Sequence, residues 1–396
     1  MDKQLAALRG LNFWIYATNA VLLPFLPLYF SSKGYTSSQI GFLLNVGPLV
    51  SIFAQPLWGY LSDAWQTVKK IVGILWVLAI LCSIGLFTST TYGWTLTFVL
   101  LMYFFLQPAL PLLDSLTVQS VARRGSSYGS VRLFGSLGFT TVSLVGGTVL
   151  AWLGGIAKIP YLYWSLWLFP LLLLLLLRDE PNGSERMTLR TIGTVFRNKS
   201  FLWFLLLVLI LSVPHRMNDS LLGLYMKQRG ATDNMVGWAW ALGGIVELPA
   251  FLLLNRVLRR THEFSLIGIA SLLFSLRWLC YALAEDPWIL LALQAGAAVT
   301  FAVFWISAVH YTARILPEQL SATGQSLLAM VFLGLAGMLG GVIGGLLNDT
   351  FGGGSMYVFA SAASLLAGIG FLGTQFAVRR SGTRRGMKPP PYSQSK

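Results

Sequence analysis

The chain alternates between long apolar runs and short breaks carrying charge, glycine or proline. A run of about 20 apolar residues is long enough to cross a bilayer core as a helix. Such runs lie near 11–30, 40–62, 70–90, 93–116, 131–153, 161–177, 201–226, 234–255, 263–283, 287–311, 321–347 and 355–377. The pattern predicts an all-α membrane protein with twelve transmembrane helices. The third and fourth spans are separated only by STTYG, and the sixth ends in the leucine run Leu171 to Leu177. The seventh and eleventh exceed the minimum length, which predicts tilting or bending.

Composition narrows the class. Of 396 residues, 55% are hydrophobic and 11% are charged, where a soluble domain carries about 25% charged residues. Mean hydropathy is +0.68. Forty glycines and 14 tryptophans suit close helix packing and the lipid–water boundary. A soluble enzyme, a disordered chain and a disulfide-stapled domain are excluded. Cys82 and Cys280 both fall inside apolar runs and read as small buried hydrophobes. No HExxH, Walker or CxxC pattern occurs, and GGVIGG and FGGG fit helix packing better than phosphate binding. Neither an enzyme nor a cofactor site is expected. The start, MDKQLAALRG, has no small-residue cleavage site, so the first span is read as retained.

The formal net charge of +14 raises the question of nucleic acid, but the position of the bases answers it. With the N-terminus inside, 21 lysines and arginines fall on inner loops and termini, and four (Lys33, Lys158, Lys227, Arg229) fall outside. This asymmetry predicts a multi-pass protein of the cell membrane with both termini cytoplasmic, facing anionic lipid rather than nucleic acid.

The longest connection, Arg178 to Lys199, divides the spans six and six. The expected organisation is an N-terminal six-helix bundle (1–178), a cytoplasmic linker (179–200), a C-terminal six-helix bundle (201–378) and a basic, disordered tail (379–396). Within the linker, TLRTIGTVFRN reads as a short amphipathic surface helix. The halves are weakly related. FAQPLWGYLSD in span two resembles IVELPAFLLLNR in span eight, and both the span four/five and span ten/eleven junctions cross a basic turn and re-enter at YG or TG. Parallel repeats of this kind mark transporters.

Charge inside a bilayer is costly and usually faces a cavity or a partner. Asp114 near the end of span four and Arg132 at the start of span five approach the same turn, as a functional ion pair or with Arg132 snorkelling to lipid phosphate. Glu247 lies midway through span eight with no adjacent base. It is either a proton-carrying group or a fixed partner to another helix. Arg277 in span nine is a natural partner for Glu247 or for a substrate oxygen. His215, Arg216, Asn218 and Asp219 cluster beside Pro214 in span seven, as an outer gate, a cavity rim or a local pair at a kink. His310 reads as a proton relay or an interfacial residue. Asp63, Lys69 and Lys70 are inner-gate candidates. Asn19, Asn45, Gln55, Gln107, Gln294 and Gln325 are candidate cavity-lining amides, with Tyr16, Tyr29, Trp240 and Trp305 as possible stacking surfaces. Lacking an ATP site, such a carrier must use a gradient, and the scattered acids favour protons.

LPFLPLYFSSKGYTSSQIGFLL, LPLLDS, YGSVRLFGSLGF, ELP at Glu247, the Arg277–Trp278 pair and HYTARILPEQLSATGQSL together resemble the major facilitator superfamily. The likeness is to its branch holding the phenylpropionate permease and proton symporters related to the lactose and nucleoside permeases. The resemblance covers nearly the whole chain. It implies two pseudo-symmetric six-helix bundles around a central cavity, alternating access, and a monomer. By similarity, Asp114 and Arg132 match the branch's charged motif of spans four and five, and Glu247 and Arg277 fall at span positions of coupling charges. His310 lacks a glutamate three residues on, and WGYLSDAWQTVKK has Trp65 and Gln66 where the superfamily's turn carries an arginine–glycine-like pair. The expected function is proton-coupled import of a small organic solute such as an aromatic acid, sugar or nucleoside. The alternative is a proton-driven exporter of amphipathic compounds or lipids.

Overall fold

The computed structural model describes residues 2–179, 198–258, 262–316 and 321–384. The helices are α1 (Lys3–Ser32), α2 (Ser37–Ala64), α3 (Val68–Thr88), α4 (Tyr92–Arg123), α5 (Tyr128–Leu153), α6 (Ile159–Leu176), α7 (Lys199–Gln228), α8 (Asp233–Leu258), α9 (Glu263–Leu283) and α10 (Pro287–Ile315). They are followed by α11, built from Ser321–Ala329, a π-helical turn Met330–Leu335 and Ala336–Phe351, and by α12 (Gly353–Arg384). Among the described residues, ten helices are long and apolar enough to cross a membrane, or eleven when the bent α2 is counted as one span. The protein is therefore an all-α, multi-pass membrane protein.

Local chemistry sets the helix ends. Asp2, Thr67, Ser127, Asn198 and Asp286 each accept a backbone N–H in the first turn of the helix they precede, and each such cap contributes about 1 kcal/mol. α5 stops at Gly154, whose φ of 107° lies in the left-handed region that favours glycine. Several helices outrun the apolar runs. α4 reaches Arg123 and α12 reaches Arg384, past the expected end at 378, because no proline intervenes; in α4 the terminal Arg123 also complements the helix dipole. The linker segment 188–198 expected to be amphipathic and the tail beyond Arg384 lie outside the described residues, except for the cap Asn198. Cys82 and Cys280 are half-buried rather than buried, since each shares its helix with lipid-facing leucines.

Helix pairing repeats at an interval of six. α1 packs on α5 and α6, α3 on α4, and α2 on α4; α7 packs on α11 and α12, α9 on α10, and α8 on α10. The first six helices meet the last six mainly through α2 against α11 and α5 against α8, with α1 beside α7. These cross-contacts concentrate at the face where α1 turns into α2 (residues 33–36), called here the far face; the opposite one, where α1 starts, is the N-terminal face. Near the far face the backbones of Gly41 and Gly341 touch so closely that neither site has room for a Cβ, and Gly237 is pressed against the Ser143 carbonyl in the same way. Side-chain-free contacts of this kind are how helices seal in lipid.

α2 leaves its neighbours toward the N-terminal face. It bends by 42° between Ser37–Ser51 and Phe53–Ser62. Pro56 has no N–H to give the carbonyl of residue 52 and its ring crowds that carbonyl, which accounts for the kink at that point. Beyond the bend, Phe53 and Tyr60 are 77% and 67% exposed. α11 is interrupted at comparable depth by its π turn. α7, by contrast, runs unbroken through Pro214.

Candidate functional site

A cavity of about 730 Å³ lies between the two sets of helices, within the usual range for a small-molecule site. α1 contributes Tyr16 and Asn19, three residues apart and so on one face; α4 contributes Tyr103 and Gln107 at i and i+4. α5 adds Arg132, Ser136, Phe139 and Thr140. From the second set come His215, Arg216 and Asp219 on α7, Trp240 on α8, Gln294 and Phe301 on α10, and Phe332 in the π turn of α11.

The charged groups sit on aromatic faces. The Arg132 guanidinium lies 3.9 Å from the Tyr16 ring centroid. Arg216 donates from Nη1 to Asp219 Oδ2 at 2.9 Å and lies 5.7 Å from the Phe332 ring. His215 Nε2 is 3.7 Å from the same carboxylate oxygen, and its ring stacks on Phe301 at 4.7 Å with planes 3° apart. Cation–π contact and the i,i+3 pair together hold charge without full hydration. Among the described residues, Asp219 is the sole carboxylate on the cavity wall.

The expected residues divide by location. Asn19, Gln107, Arg132, His215, Arg216, Asp219, Trp240 and Gln294 line the cavity. Asn45 is buried behind it, donating from Nδ2 to the Gly41 carbonyl at 2.8 Å and to Ser220 Oγ at 2.7 Å. Ser220 in turn donates to the Arg216 carbonyl at 3.0 Å, tying the far-face seal to the charged cluster. Gln55 is exposed on the splayed half of α2. Gln325 donates to the Val309 carbonyl and so fastens α11 to α10.

Asp114 and Arg132 form no ion pair among the described residues. Asp114 accepts from the Tyr128 hydroxyl at 3.0 Å, while Arg132 turns instead to the Tyr16 ring. Arg277 is only 6% exposed and lies 4.1 Å from the Trp278 ring. Among the described residues, none of its three guanidinium nitrogens has a hydrogen-bond partner. It stands behind the wall next to Tyr281, which donates to cavity-lining Gln294 at 2.6 Å. His310 is exposed toward the end of α10. Lys69 caps α6 through the Leu175 and Leu177 carbonyls, and Lys70 is exposed. The side chains of Glu247 and Asp63 lie outside the described residues.

Sequence reading missed Asp349. Its carboxylate accepts the backbone N–H groups of Ser37 (2.8 Å) and Ser38 (2.9 Å) and the Ser38 hydroxyl (2.8 Å), so the end of α11 caps the start of α2. Neighbouring Asn348 donates to Ser37 Oγ at 2.6 Å. The available signal was a pair of serines opening α2 with no acid of their own in its first turn.

A cavity walled by both sets of helices, sealed at one face and flanked by splayed helices toward the other, defines a membrane carrier for small solutes. The chain belongs to the MFS_1-like family, whose model matches residues 5–359; it is a secondary transporter of a small organic solute. It is 28% identical over 364 residues to the maltose permease of Geobacillus stearothermophilus, covering 89% of this chain and 90% of that protein. It is 26% identical over 313 residues to the probable 3-phenylpropionic acid transporter of Escherichia coli, covering 76% and 80%. The crystal structure of the nucleoside transporter NupG shares the fold with a TM-score of 0.85 at 16% identity, covering 95% of this chain and 99% of that one.

Proposed function

We propose that the protein is a proton-coupled importer that works by alternating access between two pseudo-symmetric six-helix bundles, 1–178 and 201–378. The observation that carries this reading is the placement of Arg132 and the Arg216–Asp219 pair on opposing bundles of one cavity. A solute bridging them ties the two halves together, which is how binding drives rocking. The bias of basic residues supports cytoplasmic termini, so the sealed far face is extracellular and this conformation opens inward.

The solute is a small organic molecule with an apolar or aromatic body and an oxygen-rich end. Two guanidinium groups and a histidine against one carboxylate suit an anionic or hydroxyl-bearing end, and the aromatic walls suit the body. That a maltose permease and a probable 3-phenylpropionic acid transporter are both similar to this chain supports the same range. Protons are the coupling ion, with Asp219 in the cavity wall and Glu247 at mid-span of α8 as the acids that carry them. Arg277, which has no hydrogen-bond partner among the described residues, receives a carboxylate during the cycle. No cofactor is involved, and one chain suffices.

Proteoliposomes with an imposed pH gradient test the reading, using maltose, 3-phenylpropionate and uridine as solutes. Import predicts uptake of one of these with the proton flow and its loss on dissipating the gradient. Accumulation against the proton flow overturns it in favour of export.

A further inference from the structure

A second cavity, of about 400 Å³, opens at the N-terminal face between α7, α9, α10 and α12, away from the transport path. Two helices begin there. α7 starts at Lys199 and α9 at Glu263, so their positive dipole ends converge on one hollow. Lys199 on its rim is exposed, and Arg314 is half-exposed; Arg314 Nη2 pairs with Glu263 Oε2 at 3.0 Å, with His262 Nδ1 3.5 Å from the same oxygen. Glu263 is engaged by Arg314, which leaves Lys199 and two helix starts at the hollow.

Gln375 supplies an independent indication. It lies on the wall of this cavity, is 94% buried, and its amide makes no hydrogen bond among the described residues. Its amide is open to the hollow while the rest of the side chain is packed, so a polar ligand seated there meets both a donor and an acceptor. The surroundings identify the source of that ligand. Trp203, donating from Nε1 to Thr374 Oγ1 at 3.0 Å, stands 44% exposed at the mouth. Leu206, one turn along the same face of α7, and Phe376 on α12 are 45% and 57% exposed, and Arg380 lies over the Phe376 ring at 4.5 Å. A boundary tryptophan leading onto bare apolar surface is a path for acyl chains.

We propose that this cavity seats the phosphate of an anionic membrane lipid. Lys199, the Gln375 amide and the opening N–H groups of α7 hold the headgroup, while its chains lie along Leu206 and Phe376. None of these residues belongs to the solute cavity, so the inference stands apart from the transport reading.

The test is thermal stabilisation of the full-length protein in neutral detergent by dioleoylphosphatidylglycerol, with dioleoylphosphatidylcholine and inorganic phosphate as separate arms. Phosphatidylglycerol should raise the melting temperature where phosphatidylcholine does not. The double variant Lys199→Gln/Gln375→Leu should need about tenfold more of it for the half-maximal shift, one charge-assisted contact's worth. Lys199→Arg alone should keep the wild-type response, which separates lost binding from damaged folding. An equal shift with phosphatidylcholine, or an unchanged response in the double variant, overturns the site. A phosphate shift matching that of phosphatidylglycerol overturns the lipid as its source.

Discussion

Asp349 and Ser38 are 311 residues apart in sequence, yet the Asp349 carboxylate accepts both the Ser38 amide and its hydroxyl. A carboxylate at a helix start normally belongs to the helix it caps. Here it belongs to α11, so the stability of the first turn of α2 depends on the far face staying shut.

Asp349→Ala should loosen that seal. The loss of the cap is worth about 1 kcal/mol, roughly a fivefold shift in the balance between closed and open far face. The readout is labelling of Leu44→Cys, on the cavity wall, by an impermeant thiol reagent from the extracellular side in a background with Cys82 and Cys280 replaced by alanine. Labelling should rise about fivefold. An unchanged rate would sink the role assigned to Asp349.

Arg216 and Asp219 should act as a unit. Asp219→Asn leaves the Arg216 guanidinium without its counter-ion, and solute accumulation should fall at least about tenfold while the protein remains monodisperse. Arg216→Gln combined with Asp219→Asn should bind solute no worse than the single variant, since removing both charges avoids an uncompensated one. Additive losses in a binding titration contradict the pairing.

Arg132 distinguishes solute classes. Arg132→Ala should weaken binding of a carboxylate solute by about tenfold or more, one charge-assisted contact, and leave its neutral amide analogue nearly unaffected. Equal weakening of both would show that Arg132 acts on the shape of the cavity through Tyr16 rather than on charge.

Outside the membrane, Asp2 gives a pH-dependent end to α1. The Gln4 backbone N–H holds its carboxyl below the ordinary carboxylate range, and Arg124 at 2.8 Å adds to this. A depressed acid stabilises the fold above its unfolded value and loses that contribution as pH falls through the folded one. Hydrogen-exchange protection of residues 3–6, corrected for intrinsic rates, should therefore hold at pH 6 and decline below about pH 4. In Asp2→Asn the acid-side decline should be absent.

The helices were legible because their signal is long and repeated: every described helix overlaps an apolar run. The ends were less so, because α4 and α12 continue into water on charged residues that hydropathy counts as breaks. Seven of the expected polar residues face the cavity, since a polar side chain at mid-span has few other places to go. Asn45 and Gln325 show the exception: amides can also pay out their hydrogen bonds to a neighbouring helix. The missing Asp114–Arg132 pair has a local cause, for Tyr128 and Tyr16 each offered a nearer partner. Asp349 was invisible because its importance depends on which distant helix start lies opposite it.

The two helices that form the far-face seal, α2 and α11, are both broken at mid-depth, by the kink before Pro56 and by the π turn at Met330–Leu335. A rigid rod pivoting about its centre must open one end as it shuts the other. A jointed pair need not: its N-terminal-face segments can swing inward while Gly41 and Gly341 remain in contact. We therefore expect the cycle to pass through a state closed at both faces. Such a state isolates the solute from both sides at once and prevents a continuous leak of ions through the carrier.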